Sequence, residues 1–196
     1  MSTYRNVKFL TSAASARQFV EDSGREAAFA GRSNAGKSTA INVLTQRTAL
    51  ARVSRTPGRT QLINFFEIEP ERRLVDLPGY GFAKAPAAVR ERWLALMQHY
   101  FATRESLVGL VLIVDSRRGL GEQDVAMLEW ALAKGRTAHV LLSKADKLNR
   151  QDSISVLRQT QAACVDTAVT VQLFSAHARQ GLDEARAVMN EWLLKA

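Results

Sequence analysis

The sequence predicts an α/β fold in which a sheet packs against helices. Short apolar runs typical of strands alternate with segments of helical periodicity, and this alternation is characteristic of α/β proteins. One run, LVGLVLIVD at residues 107–115, is almost continuously apolar, as expected for a strand buried on both faces. The length of 196 residues suits one domain with a substantial core, and the chain contains no linker long enough to divide it.

Local patterns assign the elements of the first half. The short run at 27–30 precedes a glycine and predicts a strand, and residues 37–44 can form a helix. The runs at 62–68 and 73–76 flank the sequence EPER, in which Pro70 favours a turn. These two runs are therefore predicted to form a hairpin.

The second half continues the alternation around the 107–115 strand. Pro86 can occupy the first turn of a helix with one apolar face, formed by Val89, Trp93, Leu96 and Tyr100. The next helix would carry the apolar stripe Val125, Leu128 and Leu132 and end at Gly135. The remaining predictions are a strand at 139–144, a helix at 153–164, a strand at 169–174 and a helix at 182–194.

Composition limits the class of protein. The apolar fraction of 46% and the charged fraction of 23% are near the globular average. The single cysteine, Cys164, excludes an internal disulfide and a cysteine-cluster metal site, and we expect it to be a buried small hydrophobe. The N-terminus lacks the features of a signal peptide, and the longest apolar run is too short to cross a bilayer. We therefore expect a cytoplasmic protein without a membrane partner.

The chain is basic, with a net charge of +8 and a pI of about 10.1. A positive balance favours attraction to nucleic acid or to anionic membranes. The same charge also serves ordinary solubility, and composition alone leaves both interpretations open.

The sequence GRSNAGKST at residues 31–39 fits the phosphate-loop pattern. Its glycines allow the backbone to wrap around phosphates, its lysine places a cation against the β- and γ-phosphates, and its serine presents a hydroxyl to Mg²⁺. An ordinary glycine-rich turn is the alternative. The predicted phosphate-binding residues are Gly31, Arg32, Ser33, Asn34, Ala35, Gly36, Lys37, Ser38 and Thr39.

A second motif, DLPGYG, follows the predicted hairpin. Asp76 ends an apolar run, and Gly79 comes after Leu77 and Pro78. Many nucleotide hydrolases use an acid and a glycine at this spacing to hold Mg²⁺ and to sense the terminal phosphate. The next residue is often a glutamine that orients the attacking water, but here it is Tyr80, which cannot do so. We therefore expect slow intrinsic hydrolysis.

Two later loops predict recognition of guanine. In LLSKADK, Asp146 could accept hydrogen bonds from N1–H and the exocyclic amine of guanine, and the stem of Lys144 could lie along the base. Ser143 stands where related proteins usually carry asparagine or threonine. In LFSA, Ser175 and Ala176 are small enough for their N–H groups to approach the base oxygen. The remaining residues predicted at this end of the nucleotide are Ala145 and Phe174. A solvated loop and a plain strand-end turn are the alternative interpretations of these two motifs. A phosphate-loop kinase that uses ATP is disfavoured, because SKAD followed by FSA argues against it and the sequence shows no evident lid or acceptor-binding insertion.

These motifs, in this order, resemble the G domain of a translation-factor-type small GTPase. Together with SRTPGRTQLINFF at 54–66, the sequences GRSNAGKS, DLPGYGFA and SKADKL are similar to the EngB/YihA family of bacterial GTP-binding proteins, within the TrmE–Era–EngA–EngB–Septin-like GTPases. The resemblance covers nearly the whole chain. It implies a single Ras-like domain with a mixed six-stranded sheet flanked by helices on both faces. It also implies an N-terminal family segment at 1–22 and a G domain at 23–196.

The resemblance assigns roles to individual residues. Thr60 would be a second Mg²⁺ ligand beside Ser38, with Thr56 as a competitor for that role, and Asp76 would meet Mg²⁺ through water. Gly79 N–H would meet the γ-phosphate, so that Lys37, Thr60 and Gly79 would act in hydrolysis. The nucleotide-binding loop before the hairpin would comprise Gly58, Arg59, Thr60, Gln61 and Leu62.

The missing glutamine has two possible substitutes: a group donated by a partner, or a monovalent cation such as K⁺. Asn34 lies where potassium-activated relatives carry an asparagine ligand, although asparagine also suits a tight loop.

The resemblance further implies a switch that assists assembly of the large ribosomal subunit and is required for normal cell division and septation. We expect the protein to be a monomer. A GTP-binding scaffold with negligible hydrolysis that recruits division partners is the alternative. A basic surface would contact rRNA through phosphate charges. Its predicted residues are Arg52, Arg55, Arg59, Lys84, Arg90, Arg92, Arg117, Arg118 and Lys134.

Overall fold

A computed structural model describes residues 3–51, 62–81 and 86–194. The strands in these ranges are β1 (Lys8–Ala13), β2 (Arg25–Gly31), β3 (Ile63–Glu69), β4 (Arg72–Asp76), β5 (Leu107–Asp115), β6 (Thr137–Ser143) and β7 (Val169–Leu173). The α-helices are α1 (Lys37–Leu44), α2 (Ala87–Thr103), α3 (Glu122–Leu132), α4 (Arg150–Ala163) and α5 (Leu182–Leu194). Short 3₁₀ helices lie at Thr3–Asn6, Ala16–Gln18 and Ala145–Lys147.

The strands form one mixed sheet in the order β1-β3-β4-β2-β5-β6-β7. The pairs β2–β4, β2–β5, β5–β6 and β6–β7 are parallel, whereas β1–β3 and β3–β4 are antiparallel. The hairpin predicted around Pro70 is confirmed, and it adds an antiparallel edge to a parallel core. The parallel strands bring five loops to the same edge of the sheet, which is where α/β proteins bind ligands.

The sheet has seven strands where six were expected. The additional strand is β1, which pairs with β3 through an irregular register between Phe9 and Thr11. Its sequence, KFLTSA, mixes apolar and polar residues, and its first three residues are exposed, as suits an edge strand. The division of the chain at residue 22 stays a prediction, although β1 shares the sheet with the rest.

Two apolar clusters lie on opposite faces of the sheet, and β5 shows why its sequence is apolar throughout. Leu110 and Leu112 point to the cluster that includes Met97 of α2. The alternate residues Val111 and Ile113 point to the other cluster, beside α1 and α5. Both faces of β5 are therefore buried, as predicted.

Close packing explains why residue 109, in the middle of β5, is a glycine. The indole ring of Trp192, on α5, lies where a Cβ atom at Gly109 would stand. Any larger residue would push α5 away from the sheet.

The predicted helices at 37–44 and 182–194 are confirmed at both ends. The stripe predicted on α3 is wrong at Val125, which is 42% exposed, because Met127, Leu128 and Ala131 form the buried face instead. Helix α4 starts earlier than predicted because the Asn149 side chain accepts a hydrogen bond from Asp152 N–H, 2.9 Å away.

Cys164 is buried, as expected. No helix within the described ranges combines the length and apolarity needed to span a membrane.

His139, on β6, is a buried histidine held by two neighbours on β7. Its Nδ1 lies 2.6 Å from the Thr170 hydroxyl and its Nε2 lies 2.8 Å from Oε1 of Gln172. The Gln172 oxygen can only accept, so Nε2 carries the proton and Nδ1 accepts from Thr170. Burial lowers the pKa of His139 below its ordinary value of 6.5.

We expect His139 to make folding stability depend on pH. A histidine whose pKa is lower in the folded state stabilises the fold fully above pH 6.5, and this contribution is lost as the pH falls below that value. The free energy of unfolding should therefore decrease between pH 7 and pH 5, by at most about 1.4 kcal/mol per pH unit from this residue. Urea denaturation across that range measures the slope.

His139→Gln, which cannot become charged, should show a smaller slope, whereas His177→Gln at an exposed position should keep that of the wild type. Equal slopes in wild type and His139→Gln would contradict this assignment. Asp22 and Asp115 have pKa values lowered from 3.8, so their contribution to stability is lost only at more acidic pH than this range.

Candidate nucleotide-binding site

The predicted phosphate loop joins β2 to α1, between a strand and a helix as the motif requires. A Cβ atom at Gly31 would lie 2.7 Å from the carbonyl oxygen of Ile113, so only glycine fits there. Gly36 precedes α1 with φ of 100°, which favours glycine strongly. The loop therefore leads directly into the N-terminus of α1, where backbone N–H groups and the helix dipole favour an anion.

Asn34 also has a positive φ, of 63°. Asparagine tolerates this left-handed conformation better than most residues, so the backbone alone accounts for asparagine in this loop.

Lys37 and Asp76 form an ion pair beneath this loop. Lys37 is the first residue of α1 and Asp76 the last of β4, and their side chains are only about one-tenth exposed. The structure thus brings together the cation predicted for the phosphates and the acid predicted for the metal. In this state each balances the charge of the other.

The segment after β4 lies against the phosphate loop. Leu77 N–H donates to the Phe29 carbonyl at 3.0 Å, and Ser33 N–H donates to the Tyr80 carbonyl at 2.8 Å. A Cβ atom at Gly79 would lie 3.6 Å from the Gly31 carbonyl oxygen. Gly79 is therefore beside the loop that would hold the phosphates, as the motif predicts.

The Tyr80 side chain turns into the core and is 2% exposed. Its hydroxyl donates to Oδ1 of Asp124, in the first turn of α3, at 2.5 Å. Burial, and then the adjacent Asp124 carboxylate, raise the pKa of the Tyr80 hydroxyl far above its ordinary value, so it remains a donor at neutral pH.

The predicted base loop is bonded directly to the phosphate loop. The Ser143 hydroxyl donates to the Ala35 carbonyl at 2.5 Å, and Lys144 Nζ donates to the Asn34 carbonyl at 2.6 Å. Lys144 has a positive φ of 58°, which turns the chain back toward the loop. Serine at position 143 therefore has a direct bonding role, although it differs from the usual asparagine or threonine.

Asp146 and Ser175 place the last two motifs side by side. The Ser175 hydroxyl donates to Oδ1 of Asp146 at 2.6 Å and accepts from Ala178 N–H at 3.0 Å. The hydrogen bond from Ser175 is the largest cause of a lowered pKa at Asp146, which keeps this carboxyl ionised. The Asp146 side chain is 16% exposed, which leaves it accessible to a base.

The other residues of these loops differ in what they can contribute. Ala145 N–H donates to the Phe174 carbonyl at 3.1 Å, which joins the two loops. The Phe174 side chain is buried beside α5, so only its backbone could face a nucleotide. Ala176 is half-buried next to Ser175.

Asp115 is a further residue that the sequence analysis missed. It ends β5 and accepts hydrogen bonds from Lys144 Nζ at 2.9 Å and from Arg117 at 2.6 Å. The bond from Arg117, and then that from Lys144, hold the pKa of the Asp115 carboxyl well below its usual range. Asp115 thus orients the lysine predicted to lie along the base. The available signal was an acid at the end of a buried strand, as at Asp76.

Some predicted residues lie outside the described residues. They are Arg52, Arg55, Thr56, Gly58, Arg59, Thr60, Gln61 and Lys84. Leu62 immediately precedes β3 and is half-buried. Of the predicted basic surface, Arg90 and Arg92 of α2, Arg118 and Lys134 are exposed, and Arg117 is paired with Asp115.

Comparison of the sequence with known proteins identifies a family. The sequence profile of the family described as "50S ribosome-binding GTPase" matches residues 26–144. A probable GTP-binding protein EngB from Xanthomonas euvesicatoria is 51% identical over 189 residues, covering 95% of this chain and 91% of the relative. A probable EngB from Stenotrophomonas maltophilia is 50% identical over 190 residues, covering 95% and 94%.

Among solved structures, the crystal structure of a probable GTP-binding protein EngB superposes with a TM-score of 0.68 at 26% identity. The match covers 87% of this chain and 100% of that chain.

Proposed function

Because the chain belongs to the EngB family of GTP-binding proteins, we propose that it is a switch that hydrolyses GTP to GDP with Mg²⁺ and assists large ribosomal subunit assembly. The observation that carries this proposal is the direct bonding of Ser143 and Lys144 to the carbonyls of Ala35 and Asn34. The loop suited to a guanine base and the loop suited to phosphates are thus hydrogen-bonded to each other, and a single guanine nucleotide requires such proximity.

The charges of the site suit a nucleoside triphosphate bound together with Mg²⁺. Lys37 can exchange its contact with Asp76 for the phosphates, because they carry more negative charge. Asp76 is then free to face a cation. The hydroxyls of Ser38 and Thr60 would be the oxygen ligands of Mg²⁺, and the Asp76 carboxylate would hold the ion through a water molecule. Bound Mg²⁺ would neutralise charge on the transferred phosphoryl group.

This chain's own groups would do the remaining work of hydrolysis. The N–H groups of the phosphate loop and of Gly79 would hold the γ-phosphate in line, and Lys37 would stabilise the charge that develops on it. Tyr80 is bonded to Asp124 and so does not orient water. The proposal therefore includes slow intrinsic turnover, which a docked partner or a K⁺ ion near Asn34 would increase.

The proposed partner is the large ribosomal subunit. The matching family is described as binding the 50S ribosome, and exposed arginines lie on α2 and after β5. Contacts from arginine to rRNA phosphates would make this binding weaken with salt. We further propose that the protein acts as a cytoplasmic monomer and supports cell division and septation.

Nucleotide competition tests the proposed specificity. Displacement of a fluorescent GDP from the purified protein should require far more ATP than GTP, because adenine cannot donate the two hydrogen bonds that Asp146 would accept. Removal of Mg²⁺ with EDTA should weaken GTP binding. Equal displacement by ATP and GTP would overturn the proposal.

The second candidate is a GTP-binding scaffold with negligible hydrolysis, which the buried Tyr80 favours because it does not orient water. Single-turnover hydrolysis distinguishes the switch from this scaffold. Large ribosomal subunits should accelerate GTP hydrolysis at low salt and bind more tightly with a GTP analogue than with GDP. Hydrolysis unaffected by ribosomal subunits would favour the scaffold. Comparison of K⁺ with Na⁺ at equal ionic strength, with Asn34→Ala as the variant, separates activation by a cation from activation by a partner.

A further inference from the structure

Tyr80 contacts three separate parts of the fold. Its carbonyl accepts from Ser33 N–H in the phosphate loop at 2.8 Å. Its hydroxyl donates to Asp124 of α3 at 2.5 Å, and its ring centre lies 6.0 Å from that of Trp93 on α2. The residue in the position of the usual glutamine is therefore fixed at both its backbone and its side-chain end.

Asp124 is suited to hold this hydroxyl. The carboxylate is completely buried, and its second oxygen accepts from Gly121 N–H at 2.8 Å, at the start of α3. Within the described ranges it forms no ion pair, and its charge is balanced by two hydrogen bonds and by the N-terminus of α3. The Arg32 guanidinium contributes at longer range, because its Nη1 and Oδ2 of Asp124 lie 3.0 Å and 3.4 Å from the point where a Cβ atom at Gly121 would stand. Loss of one donor would leave a buried carboxylate poorly compensated, which makes the bond from Tyr80 strongly favoured.

Gly79 is joined to this fixed point by one peptide bond. Its Cα lies beside Gly31 and Ser33 of the phosphate loop. Since a hydrogen bond to a phosphate is sensitive to shifts of a few tenths of an ångström, the position of Tyr80 controls how well Gly79 N–H can reach a γ-phosphate.

We propose that Tyr80 is a positioning residue whose hydrogen bond to Asp124 places Gly79 N–H for the γ-phosphate, and so makes affinity for GTP, but not for GDP, depend on α3. This inference rests on the proposed function. It gives the tyrosine a role in discriminating the two nucleotides that differs from orienting water.

The experiment measures the affinities for a non-hydrolysable GTP analogue and for GDP by equilibrium titration of the full chain. Tyr80→Phe removes the hydroxyl and keeps the ring packed on Trp93. It should weaken binding of the GTP analogue about tenfold, as expected when the hydrogen bond from Gly79 N–H to the charged γ-phosphate is lost, and change GDP binding less than about twofold. In an Asp124→Asn background, the same change should have a smaller effect on the ratio of the two affinities.

Tyr100→Phe is the matched control. Tyr100 is also fully buried, and its hydroxyl donates to a buried carboxylate, that of Glu26, at 3.3 Å. Glu26 lies near the start of β2, whereas the phosphate loop follows its end, so Tyr100→Phe should leave the affinity ratio unchanged. A purely structural role for Tyr80 would make its variant resemble this control.

The outcomes separate the two proposals. If the wild-type protein binds neither guanine nucleotide, the proposed function fails and the inference fails with it. If the wild type binds both and Tyr80→Phe lowers both affinities equally, or neither, only the role of Tyr80 is overturned. Thermal melting of each variant verifies that it is folded at the assay temperature.

Discussion

Replacing Asp146 by asparagine should lower affinity for GTP by about 10²–10⁴-fold and raise affinity for XTP. An ionised carboxylate can accept hydrogen bonds from both N1–H and the exocyclic amine of guanine. Each such bond to a charged group contributes about 1.5–3 kcal/mol. The amide of asparagine presents one acceptor and one donor, which suits xanthine because an oxygen replaces the amine of guanine.

The fold should tolerate this substitution. The Ser175 hydroxyl donates to Oδ1 of Asp146, and the amide oxygen of asparagine can accept the same bond. The loss of GTP affinity would therefore reflect recognition of the base and not collapse of the loop.

The affinity for GTP is measured by displacement of a fluorescent GDP, and the affinity for XTP by displacement of a fluorescent XDP. Asp183→Asn, at a side chain that is 95% exposed on α5, removes the same charge away from the site and should leave both affinities unchanged. An Asp146→Asn protein with undiminished GTP affinity would place the base elsewhere.

The sequence could predict the fold and the location of the site because each rests on local patterns. The run 107–115 must be buried on both faces, and the glycines of the phosphate loop permit its backbone conformation. Ser143 was harder to interpret, because its bond is to a residue 108 positions away in the sequence. Such contacts depend on which strands are neighbours, and periodicity along one strand does not specify this.

The missed features have a common physical cause. Strand β1 is an exposed edge strand with little apolar alternation, so it carries almost no signal in the sequence. Asp115 looked like the ordinary end of a strand, and its importance appears only when Lys144 and Arg117 are seen to share its carboxylate. Tyr80 could be judged unable to replace glutamine from its chemistry alone, but its bond to Asp124 required the structure.

Glu26→Gln should have the largest effect on stability, a loss of about 3–5 kcal/mol in the free energy of unfolding. The Glu26 carboxylate is fully buried and accepts from Arg73 Nε at 2.9 Å and from Arg104 Nη2 at 2.6 Å. The side chains of these arginines are themselves less than one-tenth exposed. Without the carboxylate, Arg73 would lose its buried anion, and Arg104 would keep only the Asp22 carboxylate, 3.5 Å away and 35% exposed.

Urea denaturation at pH 7 measures this loss, and Glu69→Gln provides the comparison. Glu69 also pairs with an arginine, Arg72 at 2.9 Å, but both side chains are more than one-third exposed. Solvent screens such a pair, so its loss should cost less than about 1 kcal/mol. Equal losses in the two variants would show that burial does not strengthen the Glu26 cluster. Glu26 is separated from Gly31 by about 17 Å along β2, so Glu26→Gln molecules that remain folded should keep the wild-type ratio of GTP to GDP affinity.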